Sequence, residues 1–289
     1  MSVMKQLMRT LVLLSLFICT LATPGRAETP LKLGVISLNH PLMMYRQYLP
    51  FTDYISQESG IGVELILAKD YETIIDDLLT GEIDLALLGG LSYIEARAAS
   101  ESITPLCAIL SEDGTPTNRT VIFTYKGSGV KSLADLVGKR FAFASIHSTS
   151  GYLHPLCYMG NNGVSSVSFG KKDNLRTHES VVRSVLRGSH DAGAVSVSTY
   201  HRFAAEGLTV LAETPPHPGF VIVARKTDLP AIQNLKHFLL SLDFSSPDLQ
   251  ERSAKWSSLL RNGFTSVADQ DYARVRELLT CAQQYGYGG

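Results

Sequence analysis

The stretch 70–84, DYETIIDDLLTGEID, matches the stretch 177–191, THESVVRSVLRGSHD, at a constant offset of 107 residues. Each copy places apolar residues at helical spacing and then has a glycine that can end the helix. An aspartate three residues after the glycine precedes an apolar run. Two unrelated amphipathic helices would share part of this pattern by chance. The shared glutamate, glycine and aspartate positions favour two similar α/β units.

Short β-type runs with helical patterns between them extend outward from both copies. The predicted strands are Leu31–Ser37, Val63–Leu67, Leu85–Leu88, Thr104–Leu110, Val121–Tyr125, Phe141–Ala144, Ala192–Val197, Thr209–Leu211 and Phe220–Ala224. This alternation predicts an α/β fold with largely parallel sheets. The chain after Lys226 is predicted to be helical throughout.

The composition fits a globular chain with room for two modest cores. Of 289 residues, 45% are hydrophobic and 18% charged, and the formal net charge is −1. This composition excludes intrinsic disorder, collagen-like repeats and a surface built to coat nucleic acid.

Residues 1–27 have the layout of a secretory signal peptide. Lys5 and Arg9 precede an apolar run from Leu11 to Ala22, and small residues precede a cut after Ala27. The run is shorter than the roughly 20 apolar residues of a membrane anchor. We expect export to the periplasm with cleavage after Ala27.

Tyr71 and His178 occupy the same position in the two copies, just before the equivalent helix. Ligands of α/β sheets collect at strand carboxyl ends and helix amino termini. Either ring alone could be a packed or surface side chain. Together they are predicted to face each other across a cleft between the two units.

The segment Ser148-Thr149-Ser150-Gly151 follows a predicted strand and begins a predicted helix. Three hydroxyls and unpaired backbone N–H groups at a helix amino terminus suit a small tetrahedral oxyanion without any cationic side chain. Ordinary helix capping, for which one hydroxyl is enough, is the alternative interpretation.

Several motifs together resemble the phosphate/phosphite/phosphonate-type periplasmic binding proteins. They are Ser148–Pro155, Asp70-Tyr71, Gly81–Asp84, Gly89–Tyr93, Asp113–Pro116, His178-Glu179 and His190–Val195. The resemblance implies a type II periplasmic binding-protein fold, two α/β lobes joined by a two-strand hinge, which closes on an oxyanion for an ABC importer. The resemblance implies that the residues matching the family's motifs contact the ligand, namely Tyr71, Ser148, Thr149, Ser150 and His178. Ser92 and Gly151 lie within the same motifs and are further candidates.

The sequence departs from the aminoalkylphosphonate-binding members of that family. Those members share an aromatic residue at the position where this chain has Asn118. They have acidic residues, which contact a ligand amino group, at the positions where this chain has Ser198 and Phe220. We therefore expect Asn118 to contact the ligand and the ligand to be a bare oxyanion rather than an amino compound.

The copies and the turns between them predict the domain organisation. We expect one lobe to consist of residues 28–119 and 218–289, where the range 218–289 includes the helical carboxyl-terminal region. We expect residues 120–217 to form the other lobe. The turn at Asp113–Pro116 and the return strand Phe220–Ala224 mark the two crossings.

Other functional classes have weaker support in the sequence. Common catalytic and metal-binding motifs are missing, so we expect no enzyme activity, metal or cofactor. We expect a monomer that binds a small oxyanion, with no nucleic-acid partner. The membrane partner is an ABC permease or, as the alternative, a histidine kinase that senses the oxyanion.

Cys107 motivates the sensing alternative. Its strand runs toward the first crossing, so its thiol could reach the cleft and bind arsenite, a thiophilic oxyanion, although a single cysteine in a strand is more often a core residue. Arsenate, which has the shape and charge of phosphate, could be sensed through the hydroxyl site without this thiol. The chain also resembles periplasmic arsenic-oxyanion sensors. The sequence leaves open whether Cys107, Cys157 and Cys281 are free or paired.

Overall fold

A computed structural model describes residues 29–36 and 41–287; the expected signal peptide lies outside the described residues. The strands are β1 (Leu31–Ile36), β2 (Val63–Ala68), β3 (Leu85–Leu88), β4 (Thr104–Ile109), β5 (Thr117–Asn118), β6 (Thr120–Tyr125), β7 (Arg140–Phe143), β8 (Lys171–Asn174), β9 (Ala192–Ser196), β10 (Leu208–Glu213), β11 (His217–Pro218), β12 (Val221–Ala224) and β13 (Phe264–Thr265). The helices are α1 (Pro41–Ser59), α2 (Tyr71–Thr80), α3 (Gly90–Ala99), α4 (His154–Asn161), α5 (His178–Leu186), α6 (Val197–Phe203), α7 (Pro230–Ser241), α8 (Pro247–Ser253) and α9 (Ala273–Gln283). Over these described ranges, no helix combines the length and the apolar character needed to cross a membrane.

Two mixed sheets form the framework. Within the described residues, the first sheet has the order β13-β4-β12-β3-β1-β2 and the second has the order β10-β6-β9-β7-β8. Each sheet has two parallel pairs, and its other pairs are antiparallel. The prediction of largely parallel sheets was therefore wrong, because a buried strand has the same continuous apolar pattern in either direction.

The internal similarity corresponds to a structural repeat. The strand order β3-β1-β2 in the first sheet matches β9-β7-β8 in the second. Asp84 accepts a hydrogen bond from the Lys32 backbone N–H at 2.9 Å, and its counterpart Asp191 accepts one from the Arg140 backbone N–H at 2.8 Å. The shared aspartate therefore links the strand that it precedes to the neighbouring parallel strand, β3 to β1 in the first sheet and β9 to β7 in the second.

Two short strands connect the sheets. β5 leads from β4 of the first sheet to β6 of the second, and β11 leads back from β10 to β12. They pair with each other in antiparallel orientation, with His217 opposite Asn118. The chain therefore passes twice between the sheets through one small paired ribbon.

The carboxyl-terminal segment contacts helices associated with both sheets. Cys281 on α9 forms a disulfide with Cys157 on α4, with a Cα–Cα distance of 5.6 Å. On the opposite side, the Tyr272 ring lies 4.7 Å from the Tyr93 ring of α3. The division into lobes had grouped this segment with the first sheet alone. The prediction of a wholly helical region after Lys226 was also wrong, because β13 pairs with β4.

Candidate functional site

A cavity of about 150 Å³ lies where the amino-terminal ends of several helices meet. Its walls include Tyr71 and His178, the first residues of α2 and α5, and Gly90, the first residue of α3. Ser148 and Thr149 line it from the π-helical turn that leads into α4. Helix amino termini carry partial positive charge and unpaired N–H groups, so this environment favours an anion.

A chain of hydrogen bonds orders the polar groups of the cavity. The Ser196 backbone N–H donates to His178 Nδ1 at 3.0 Å, which leaves the imidazole proton on Nε2. His178 Nε2 then donates to Ser148 Oγ at 3.1 Å, and the Gly151 N–H donates to the same oxygen at 3.0 Å. With both lone pairs of Ser148 engaged, its hydroxyl hydrogen is available to an acceptor in the cavity, which Tyr71 also lines.

The His178 and Tyr71 rings are neutral at neutral pH. Burial, together with a smaller contribution from the nearby Arg202 charge, lowers the pKa of His178 to about 4. Burial raises the pKa of Tyr71 to about 12 against the smaller opposing effect of the neighbouring Ser148 hydroxyl. A charge-assisted hydrogen bond from His178 to a ligand would thus be confined to solution more acidic than about pH 4.

The neighbouring candidates divide into cavity residues and supporting residues. Thr149 and Ser150 line the cavity, and Thr149 Oγ1 accepts a hydrogen bond from the Leu91 backbone N–H of α3 at 2.8 Å. Gly151 and Ser92 are not among its lining residues. A Cβ on Gly151 would lie 2.4 Å from the Ala144 Cβ, so glycine permits the turn to pack on its strand. Ser92 Oγ donates to the His147 carbonyl at 3.1 Å and supports the same loop.

The three positions of departure from the aminoalkylphosphonate pattern all line the cavity. Asn118, Ser198 and Phe220 also line a neighbouring cavity of about 260 Å³. The carboxylates of Glu112 and Asp113 lie in that neighbouring cavity rather than in the first one. A short substituent directed toward these three residues would therefore meet amide, hydroxyl and aromatic groups, while the carboxylate that lines the first cavity, Glu179, lies 3.8 Å from the Arg202 guanidinium.

The expectation that Cys107 contacts the ligand was wrong. Its side chain is fully buried in the core of the first sheet, and β4 places it opposite Ile222 of β12. Burial raises the pKa of its thiol to about 12, which keeps the thiol protonated. Strand direction alone could not show which face of β4 this side chain occupies.

Sequence reasoning missed several residues of the cavity wall. Arg202 on α6 brings a guanidinium to the cavity, with Nη2 3.8 Å from the Glu179 carboxylate, which also lines it. His147 and His217 line the cavity as well. Glu179 is adjacent to His178 in the sequence and His147 is adjacent to Ser148, so proximity to these predicted ligand contacts could have identified both residues. Arg202 and His217 reach the cavity through tertiary contacts alone.

His217 belongs to a buried pair of imidazoles. Its Nδ1 lies 3.0 Å from Nδ1 of His154, and Thr214 Oγ1 lies 3.2 Å from the same His154 nitrogen. Burial lowers the pKa of His154 to about 4 and that of His217 well below its usual value. Throughout residues 29–36 and 41–287, no group of three or more His, Cys, Asp or Glu side chains is arranged to hold a metal ion.

Comparisons with known proteins agree with this architecture. The chain is 29% identical over 238 residues to the phosphonates-binding periplasmic protein of Escherichia coli K12, covering 76% of this chain and 69% of that protein. It is 26% identical over 176 residues to the phosphate-import protein of Mycolicibacterium smegmatis, covering 60% of this chain and 53% of that protein. The matched part thus spans about half of the mycobacterial protein.

Solved structures have the same fold. A methylphosphonate complex from Prochlorococcus marinus superposes with a TM-score of 0.77 at 22% identity, covering 86% of this chain and 96% of that chain. A binding protein component of an ABC phosphonate transporter from Pseudomonas aeruginosa also gives a TM-score of 0.77, at 23% identity, covering 89% of this chain and 88% of that chain.

Two mixed β-sheets are joined by a paired ribbon, and an anion-favouring cavity lies at helix amino termini. This α/β architecture defines a periplasmic binding protein of the two-lobed class. A family model for the ABC transporter, phosphonate, periplasmic substrate-binding protein matches residues 33–272. The chain belongs to this family, whose members act in the periplasm.

Proposed function

We propose that the chain captures a small phosphate-like oxyanion, namely phosphite, phosphate or a phosphonate, and delivers it to the permease of an ABC importer. The observation that carries this proposal is the chain of hydrogen bonds from Ser196 through His178 to Ser148, which leaves the Ser148 hydroxyl hydrogen for an acceptor in the cavity. The family description and the phosphonate and phosphate names of the relatives support the same ligand class.

The two sheets act, in this proposal, as lobes that close on the ligand. Residues 28–119 with 218–289 form one lobe and residues 120–217 form the other, with β5 and β11 as the hinge; the Cys157–Cys281 disulfide joins the carboxyl-terminal helix of the first lobe to α4 of the second. Hydrogen bonds such as Leu91 N–H to Thr149 Oγ1 join the two sides next to the cavity. They support closure because they bring the donor groups of both lobes around one site.

The ligand in this proposal carries at most a short, uncharged substituent. Asn118, Ser198 and Phe220 lie on the cavity wall, and none of them can pair with an ammonium group as a carboxylate would. Arsenite binding through the Cys107 thiol is not retained, because that thiol is enclosed in the core of the first sheet. Arsenate sensing through a histidine kinase needs only the hydroxyl site and stays the alternative.

A calorimetric titration with phosphite, phosphate, methylphosphonate and 2-aminoethylphosphonate tests the ligand class. We expect methylphosphonate to bind at least about tenfold more tightly than the amino compound, because a desolvated and unpaired ammonium group is costly. Failure of phosphite, phosphate and methylphosphonate to bind would contradict the proposed function. Tighter binding of 2-aminoethylphosphonate would show that Glu179 or the carboxylates of the neighbouring cavity pair with the ammonium group and that the proposed limit on the substituent is wrong.

A further inference from the structure

His147 lies between the oxyanion-binding turn of the second sheet and two helices of the first. Its Nδ1–H donates to Glu95 Oε2 on α3 at 3.0 Å, and its Nε2 lies 3.6 Å from Glu72 Oε1 on α2. The ring is stacked at 6.2 Å on the ring of Tyr71. One imidazole therefore bridges the loop before Ser148 and the helix that carries Tyr71.

The second nitrogen of His147 is the unusual feature. Nε2 is buried from solvent and has no hydrogen-bond partner among the described residues, and Glu72 Oε1, at 3.6 Å, is just beyond bonding distance. A movement of a few tenths of an ångström between the loop and α2 would complete a second charged hydrogen bond to Glu72. The imidazolium form satisfies both carboxylates, since it has two N–H donors.

Other ionisable groups surround this pair on every side. On α2 and its cap they are Asp70, Tyr71 and Glu72; α3 contributes Glu95; and Tyr287 of the carboxyl-terminal segment donates to Glu95 Oε1 at 3.1 Å. Burial raises the pKa of both tyrosines, so they stay neutral. Arg176 lines the same outer cavity as His147 and is the cation on that side. Carboxylates therefore dominate the surroundings of the imidazole.

We propose that His147 is a positioning residue whose protonated ring latches the Ser148–Ser150 turn to α2 and α3 and so favours the closed, ligand-binding arrangement. The inference rests on the proposed function of the cavity and adds a pH-dependent control of it. Ser92 Oγ, which donates to the His147 carbonyl, holds the backbone of the same loop to α3 independently of pH.

The sign of the pH effect follows from linkage. The hydrogen bond to Glu95, opposed in part by burial, raises the pKa of His147 above its ordinary value of 6.5 in the closed arrangement, and the charges of Glu95 and Glu72 raise it further. Opening separates the ring from both carboxylates and returns the pKa toward 6.5. The contribution of the protonated His147 ring to closure is therefore fully present below about pH 6.5, and it is lost as the pH rises through the raised pKa of His147. Oxyanion affinity should fall over the same window, by about tenfold for each unit of pKa difference.

The experiment compares methylphosphonate affinity between pH 5.5 and 9.5 for the wild type, His147→Gln and Glu95→Gln. Ionisation of the ligand itself cancels in the ratio of dissociation constants at each pH. We expect both variants to bind about tenfold more weakly than wild type at pH 5.5 and the ratio to approach one at the alkaline end. Asp76→Asn removes an exposed carboxylate from the same helix as Glu72 and serves as the control, with a wild-type profile expected.

A second measurement makes the latch testable without ligand. An NMR titration of the His147 ring should give a pKa above 6.5 in the wild type and a lower one in Glu95→Gln. Equal values in the two proteins, or a dissociation-constant ratio that stays constant from pH 5.5 to 9.5, would overturn the latch while methylphosphonate still bound. A wild-type protein that binds neither methylphosphonate nor phosphite would instead contradict the proposed function, and the ligand linkage with it.

Discussion

Replacing Ser148, Thr149 and Ser150 together by alanine is expected to weaken oxyanion binding by about a thousandfold or more. A hydrogen bond to a charged group contributes about 1.5 to 3 kcal/mol, so each hydroxyl alone accounts for about tenfold to a hundredfold in affinity. Ser148→Ala has a second consequence, because Ser148 Oγ also accepts hydrogen bonds from His178 Nε2 and from the Gly151 N–H. Calorimetric titration with methylphosphonate and with phosphite measures the loss.

The controls separate loss of donors from loss of fold. Ser184→Ala removes a hydroxyl from α5, where Ser184 donates to the Val181 carbonyl away from the cavity, and wild-type affinity is expected. Thr149→Ser keeps the hydroxyl that accepts from Leu91 and should retain most of the affinity that Thr149→Ala loses. If the triple variant had the wild-type circular dichroism spectrum and bound as tightly as wild type, the oxyanion would bind elsewhere.

Removal of the Cys157–Cys281 disulfide is expected to lower the free energy of unfolding by about 2 to 5 kcal/mol. The cross-link joins residues 124 positions apart, and closing so long a loop restricts the unfolded chain strongly. In the folded chain it fixes α9 on α4 beside the close contact of the Tyr285 ring with Gly160. Chemical denaturation of the Cys157→Ser, Cys281→Ser double variant measures the change.

Reduction provides the matched control for this variant. Dithiothreitol should destabilise the wild type to about the level of the double variant and should leave the double variant unchanged. Alkylation of the unfolded, unreduced wild type should leave Cys157 and Cys281 unmodified. Their modification under those conditions would mean that the disulfide does not form.

Local sequence patterns predicted the elements with strong apolar or capping signals. Leu85–Leu88 was predicted with its observed bounds, and the repeat identified Asp70 and Thr177 as preceding equivalent helices, where both cap the backbone. β8 was missed because its sequence, KKDN, lacks the apolar character of a buried strand. Strand direction in the sheets was also missed, because neighbours distant in sequence determine it.

The candidate site was predictable only where one segment supplied the donors. The three hydroxyl residues of the Ser148–Ser150 turn are consecutive, so they are recognisable as an anion-binding motif from the sequence. The internal repeat added Tyr71 and His178 as candidates. Arg202 and His217 reach the cavity through the packing of α6 and the connecting ribbon, which no local pattern encodes. Burial likewise decided the protonation of His178 and the enclosure of Cys107, and neither follows from spacing alone.

The enclosed Cys107 gives the protein a built-in reporter of local unfolding. Within residues 29–36 and 41–287 it is the free cysteine, it is fully buried, and its neighbours come from the core of the first sheet rather than from the cavity. A thiol reagent can reach it only when that sheet opens, so the rate of labelling reports the free energy of that opening. Ligand binding would slow the labelling only to the extent that the oxyanion stabilises the first sheet as well as the turn that binds it.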